Sequence, residues 1–172
     1  GGVNLTGKTV GIIGLGNIGK ELVHLLKPFH CKILVNDLTD VSLFARKHNL
    51  SIVSKDMLIQ SSDIISIHTP LSRQMQNFFN LETFEKMRKT SILINTARGG
   101  IVNEVDLKKA LNTKLIAGAA LDVFALEPPI DLELLALSNL IATPHIGGNS
   151  WEAIVAMGES AIEHLVNHSK SS

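Results

Sequence analysis

Apolar runs of strand length alternate along this chain with segments whose apolar residues recur at helical spacing. Lys8 to Ile13 predicts a buried strand, Glu21 to Lys27 a helix with Leu22, Leu25 and Leu26 inward, and Lys32 to Asp37 a second strand ending in an acid. Val41 to His48 then predicts a helix, Leu50 to Val53 a short strand, Lys55 to Gln60 a helical turn, and Asp63 to His68 a strongly β-prone buried strand. Thr69-Pro70 halts that strand; Leu81 to Arg88 and Glu104 to Leu111 predict helices, and Ser91 to Asn95 and Leu115 to Leu121 strands. Glu127-Pro128-Pro129 enforces an irregular loop before a short helix at Leu132 to Leu135 and a last strand at Leu140 to Ala142. Ser150 or Asn149 caps a final helix to about Asn167, with Ile154, Met157, Ala161, Ile162 and Leu165 at helical spacing. Strict alternation of strand and helix predicts an α/β domain with a doubly wound parallel sheet in three layers.

Between the first strand and its helix stand Gly14-Leu15-Gly16-Asn17-Ile18-Gly19, a G-x-G-x-x-G triplet. Gly14 permits the tight turn, Gly16 lets backbone approach a pyrophosphate, and Gly19 lets the helix pack close on the strand, while the helix amino terminus faces the anion. Asp37 follows Gly19 by eighteen positions, near the spacing of about 20 at which an acid accepts hydrogen bonds from an adenosine ribose. That carboxylate repels a 2′-phosphate and favours NAD over NADP. Strand, triplet, helix, strand and acid in this order define a Rossmann-type fold.

Composition narrows the partners. The 172 residues suffice for a single domain spanning 1–172. Sixteen basic side chains balance sixteen acidic ones without a basic run, which gives no support to a nucleic-acid or anionic-membrane partner. Cys31 is the only cysteine, so no internal disulfide forms and a reducing, cytoplasmic setting is expected. No apolar run reaches membrane-spanning length and no signal peptide is visible. The His164 and His168 pair has metal-ligand spacing but no third ligand, so no metal site is expected. Lys86, Arg88 and Lys89 read as the exposed end of a helix, Gly1 to Thr6 as a leader of an excised piece, and Ser169 to Ser172 as a frayed end.

In a doubly wound sheet, ligands bind beyond the carboxyl ends of the strands. The polar residues at those ends are Asp37, His68-Thr69, Asn95-Thr96-Ala97-Arg98, Asp122 and His145, with Glu127 just beyond Asp122. Arg98 can hold a carboxylate bidentately and polarise an adjacent carbonyl, His145 can exchange a proton near neutral pH, and Glu127 can orient the imidazole. His68 reads as a positional residue rather than a second acid/base.

Five segments resemble the D-2-hydroxyacid dehydrogenases: Gly14 to Gly19, His68-Thr69-Pro70-Leu71, Asn95 to Gly100, Leu121-Asp122-Val123-Phe124 with Glu127-Pro128, and Pro144-His145-Ile146-Gly147-Gly148. They span nearly the whole chain in the family's order. The resemblance implies NAD-dependent hydride transfer at C2 of a 2-hydroxy or 2-keto acid, with 3-phosphoglycerate favoured, and a homodimer. It implies catalytic roles for Arg98, His145 and Glu127, with cofactor contacts from Gly14, Gly16, Asn17, Ile18, Gly19, Asp37, His68, Thr69, Pro70, Thr96, Ala97, Arg98, Asp122, His145 and Gly147. Thr69 and Pro70 are expected on the adenosine side and Asp122 near the nicotinamide carboxamide. The family's substrate-binding domain is mostly absent from this sequence, so the expectation is a cofactor domain, poorly active alone. An NAD-sensing protein-interaction module, like the corepressors that share this fold, is the alternative.

Overall fold

The computed structural model describes residues 3–170. The elements are β1 (Thr9–Ile13), α1 (Asn17–Leu26), β2 (Lys32–Asn36), α2 (Ser42–His48), β3 (Ser51–Ile52), α3 (Lys55–Ser61), β4 (Ile64–Ile67), α4 (Leu81–Lys86), β5 (Ile92–Asn95), α5 (Glu104–Asn112), β6 (Gly118–Leu121), α6 (Leu132–Leu135), β7 (Leu140–Ala142) and α7 (Trp151–Lys170). Every strand pairs in parallel, in the order β3-β2-β1-β4-β5-β6-β7, so the winding reverses between β1 and β4. The doubly wound sheet read from the alternation is therefore present.

The two-residue period of β1 divides the core. Val10 and Ile12 join Val23 and Leu26 of α1 on one face, while Ile13 joins Leu58 of α3, Phe84 of α4 and Leu107 of α5 on the other. The second face is covered across the sheet. The first is covered only in part: one register row runs from Ile12 through Ser66, Ile94 and Ala120 to Ile141, and exposure climbs along it from 0% at Ile12 to 68% at Ile141. The third layer thus closes over β1 to β3 and thins towards β7. α7 leaves its own apolar residues in solvent, including Ile154, Met157, Ile162 and Leu165. It starts from Ser150, whose hydroxyl accepts the Ala153 N–H at 3.1 Å, and runs to Lys170, through part of the end expected to fray. Gly1, Gly2, Ser171 and Ser172 lie outside the described residues.

Two local expectations need correcting. α1 begins at Asn17, four residues before Glu21, and buries Gly19, Val23 and Leu26; Leu25 is 63% exposed and Leu22 half-buried. The phase of the helix is set by Gly19, which lies so close to Gly14 that a Cβ there would collide with the Gly14 carbonyl oxygen. Leu25 falls on the opposite side. The run Lys86, Arg88, Lys89 is likewise no simple helix end: α4 stops at Lys86, and Arg88 reaches the Asp63 carboxylate at 3.1 Å and the Gln60 carbonyl at 3.2 Å.

Because the Gly14 carbonyl is backbone that cannot swing aside, Gly19→Ala is expected to lower stability by about 1–3 kcal/mol. Urea unfolding of the two chains measures it, with an unchanged midpoint as the contrary result.

Candidate functional site

The strand ends raise most of the expected residues along one edge of the sheet. Gly14 and Gly16 follow β1, Asp37 follows β2, His68 to Pro70 follow β4, Thr96 to Arg98 follow β5, Asp122 follows β6 and His145 follows β7. At the β1 end lies a cavity of about 800 Å³ lined by Gly14, Gly16, Asp37, Thr69 and Pro70 among others. Gly14 has φ +93°, and a Cβ there would meet the His68 backbone at 2.7 Å, so both the turn and the neighbouring strand demand glycine. A Cβ on Gly16 would meet no protein atom within 4 Å. The open space there borders the amino end of α1, beside the exposed Asn17 and Ile18, and leaves room for an anion to approach the free N–H groups of the helix.

The Asp37 carboxylate is already shaped for its position. One oxygen accepts the Leu15 N–H at 2.6 Å, and the other accepts the Thr39 N–H at 2.8 Å and its hydroxyl at 2.7 Å. Partial burial pulls its pKa up, but these hydrogen bonds outweigh it and hold the group below the usual carboxylate range. Asp37 is therefore ionised at neutral pH and ties the glycine turn to the end of β2. Thr69 lines the same cavity, and its buried hydroxyl has no hydrogen-bond partner among the described residues. His68 lies 2.9 Å from the Ser66 hydroxyl through Nε2, and burial depresses its pKa; a neutral, anchored ring suits the positional reading. An NAD molecule fits this donor and acceptor set: open space at Gly16, an acid at the ribose position and an unsatisfied hydroxyl at Thr69.

The second half of the edge holds Arg98, Glu127 and His145. The Asn95 side chain folds the turn after β5, accepting the Ala97 N–H at 3.1 Å and donating to the Arg98 carbonyl at 3.0 Å. Thr96 and Arg98 project outward from it, and Arg98 donates through Nη1 to the Ala97 carbonyl at 2.6 Å. His145 Nδ1 lies 2.8 Å from Glu127 Oε2, while Glu127 Oε1 accepts the Phe124 N–H at 3.0 Å. A carboxylate only accepts, so Nδ1 carries the proton and Nε2 is the atom left for a ligand. The hydrogen bond from His145, followed by that from Phe124, holds the Glu127 carboxyl below its ordinary pKa. The structure thus joins His145 to Glu127 and leaves Arg98 on the adjacent strand end without a bond to either.

Asp122 is buried, and both its oxygens are engaged by its own chain. Oδ1 accepts the Thr143 hydroxyl at 2.5 Å and the Ile146 N–H at 2.9 Å, and Oδ2 accepts the Gly147 N–H at 2.8 Å. These bonds clamp the chain on both sides of His145, which is held at φ +55°, a left-handed conformation uncommon outside glycine. Burial raises the Asp122 pKa, but the three hydrogen bonds outweigh that and leave it lowered. Sequence reasoning missed Thr39, Thr143 and Glu104, whose oxygens tie these loops; Thr39 two residues after an acid is the one local turn signal available.

Fold and site together define a dinucleotide-binding Rossmann domain with a histidine–carboxylate pair on the same sheet edge. The chain belongs to the family of the D-isomer specific 2-hydroxyacid dehydrogenase NAD binding domain, whose model matches residues 1–147. It is 39% identical over 169 residues to the D-3-phosphoglycerate dehydrogenase of Bacillus subtilis, covering 98% of this chain and 32% of that protein. It is 42% identical over 169 residues to the glyoxylate reductase of Thermofilum pendens, covering 96% and 49%. Among solved structures it superposes with a TM-score of 0.83 on the NAD complexed form of a D-isomer specific 2-hydroxyacid dehydrogenase from Lactobacillus delbrueckii ssp. bulgaricus, at 29% identity, covering 95% of this chain and 53% of that one. The chain therefore spans half or less of these curated relatives.

A folded pKa below the roughly 3.9 of an unfolded Asp means that Asp122 contributes stability that is present above about pH 4 and lost as pH falls through its folded value. Asp122→Asn is expected to lower the melting temperature at neutral pH, with the gap to the parent chain closing below about pH 4 as the parent loses the same charge. A gap independent of pH contradicts this.

Proposed function

We propose that this chain binds NAD across the β1/β4 switch point and serves hydride transfer between the nicotinamide and C2 of a D-2-hydroxy or 2-keto acid. The observation that carries the reading is the Glu127–His145 pair, 2.8 Å apart, on the same sheet edge as the glycine cradle. Bound NAD would supply the hydride acceptor, held by Gly14, Gly16, Asn17, Ile18 and Gly19 at the pyrophosphate and by Asp37 and Thr69 at the adenosine. The Arg98 guanidinium takes the substrate carboxylate and polarises the C2 oxygen. His145 Nε2 accepts the C2 hydroxyl proton in oxidation and returns it in reduction. Glu127 keeps Nδ1 protonated and offsets the charge of the imidazolium.

The relatives are named for 3-phosphoglycerate, glyoxylate and hydroxypyruvate. These short acids share a carboxylate beside an oxygen-bearing C2, the features that Arg98 and His145 read; 3-phosphoglycerate is the favoured member. We further propose that full turnover draws on substrate-binding residues beyond this chain, a reading supported by its 32% and 49% share of two relatives and by the outward exposure of Arg98 and His145. A homodimer and a reducing, cytoplasmic compartment complete the proposal; the first rests on resemblance and the second on the free thiol of Cys31.

Titration with NAD and NADP, followed by heat shift, tests the cofactor reading. NAD is expected to bind more tightly, and Asp37→Ala to weaken it about tenfold or more, since hydrogen bonds to a charged group contribute roughly 1.5–3 kcal/mol. Gly16→Val is expected to abolish NAD binding while leaving the ligand-free melting temperature near that of the parent, because the new side chain enters open space. Absence of a shift with either cofactor overturns the proposal. Turnover of glyoxylate or hydroxypyruvate by the 172-residue chain at ordinary enzymatic rates overturns the need for further residues.

A further inference from the structure

We propose that Glu104 is a positioning residue for the Glu127–His145 pair, acting through the backbone N–H of Ala125; the inference rests on the acid/base reading of that pair. Between β6 and α6 the chain runs from Asp122 to Asp131 without a helix or strand. Phe124 is 5% exposed and anchors this loop in the core, but residues 125–128 are exposed. Glu127 sits in that exposed part and must nonetheless present Oε2 to His145.

Three contacts fix the backbone at Phe124 and Ala125. The Phe124 N–H donates to Glu127 Oε1 at 3.0 Å; the Phe124 carbonyl lies against Gly99, where a Cβ would collide with it; and the Ala125 N–H donates to Glu104 Oε1 at 2.6 Å. Glu127 is the group being placed, so it cannot be its own anchor. The external anchors are Gly99, in the β5 to α5 connection that also carries Arg98, and Glu104, where that connection enters α5. Glu104 stands on a firm base as the first residue of α5. Asn103 caps that helix by accepting the Asp106 N–H at 3.1 Å, Asp106 accepts the Leu81 N–H of α4 at 3.1 Å, and Leu107 and Ala110 are fully buried.

An acid in the first turn also stabilises a helix by complementing its dipole, and the two roles differ in what they require. A dipole role needs the charge; a strap needs only an oxygen acceptor at the right reach. Glu104→Gln keeps the acceptor and discards the charge, whereas Glu104→Ala discards both.

The readout is the tautomer of His145, seen in imidazole ¹⁵N spectra of the 172-residue chain at a pH where the ring is neutral. The parent chain is expected to show protonated Nδ1 and bare Nε2, and Glu127→Ala to lose that signature. Glu104→Ala is expected to lose it too, with faster hydrogen exchange at the Ala125 amide and unchanged exchange in the centre of α5, while Glu104→Gln retains both parental features. Retention of the signature in Glu104→Ala, or its loss in Glu104→Gln, overturns the strap while leaving the pair intact. Retention in Glu127→Ala overturns the acid/base reading itself and is distinguishable from either.

Discussion

The close approach of α1 to β1 is the constraint on which the rest depends. Gly19 lies against the Gly14 carbonyl with no room for a Cβ, and that contact decides which face of α1 is buried and where the helix points its free N–H groups. Moving α1 outward by the width of a methyl group would withdraw those N–H groups from a pyrophosphate. It would also uncover Ile12, which is fully buried beneath the helix. Packing and ligand geometry are here a single requirement, as expected where backbone must serve as the binding surface.

The remainder of the edge is built by carboxylates that accept backbone N–H groups. Asp37 takes Leu15 and Thr39, Asp122 takes Ile146 and Gly147, Glu127 takes Phe124 and Glu104 takes Ala125. A loop beyond a parallel strand has no ladder partner for its N–H groups, and an unpaired one near the core is expensive. Charged acceptors satisfy them strongly and fix the loop's shape. The acids therefore act as scaffolding, and two of them also reach the edge itself: Asp37 lines the cavity and Glu127 holds His145. These backbone bonds, together with the side-chain bonds from His145 to Glu127, from Thr143 to Asp122 and from Thr39 to Asp37, hold the three carboxyls below their ordinary pKa.

What was legible in the sequence follows from this division. Strand and helix periods are local, so Asp63 to His68 and Ser91 to Asn95 were readable almost to the residue, and the glycine triplet carried its own context. The common placement of Arg98, Glu127 and His145 was legible because the loops after β5, β6 and β7 all leave the same edge of a parallel sheet. The phase of α1 was not, since it depends on the collision of Gly19 with a carbonyl five residues back rather than on the run Leu22, Leu25, Leu26. The clamp by Asp122 was also hidden, because its partners lie more than twenty positions ahead. The thinning of the layer from Ile12 to Ile141 was invisible for a related reason: Leu140 to Ala142 reads as a strand whether or not a helix covers it.

The groups at the β5 and β7 ends of the edge are prepared to different degrees. His145 is held on both flanks by Asp122 and from the side by Glu127, so its protonated Nδ1 and free Nε2 are set before any ligand arrives. Arg98 is not set in this way, for its Nη1 is bonded to the carbonyl of its own neighbour Ala97. A neutral carbonyl is a weaker partner for a guanidinium than a carboxylate that can accept two parallel bonds. Under the proposed function, the guanidinium's remaining N–H groups would offer a 2-hydroxy acid the bidentate bond that the Ala97 carbonyl cannot accept. On that reading proton transfer would rest on a pair fixed by side chains from other elements, and substrate recognition on a side chain held only by its own neighbour, so the carboxylate of the substrate would complete the site.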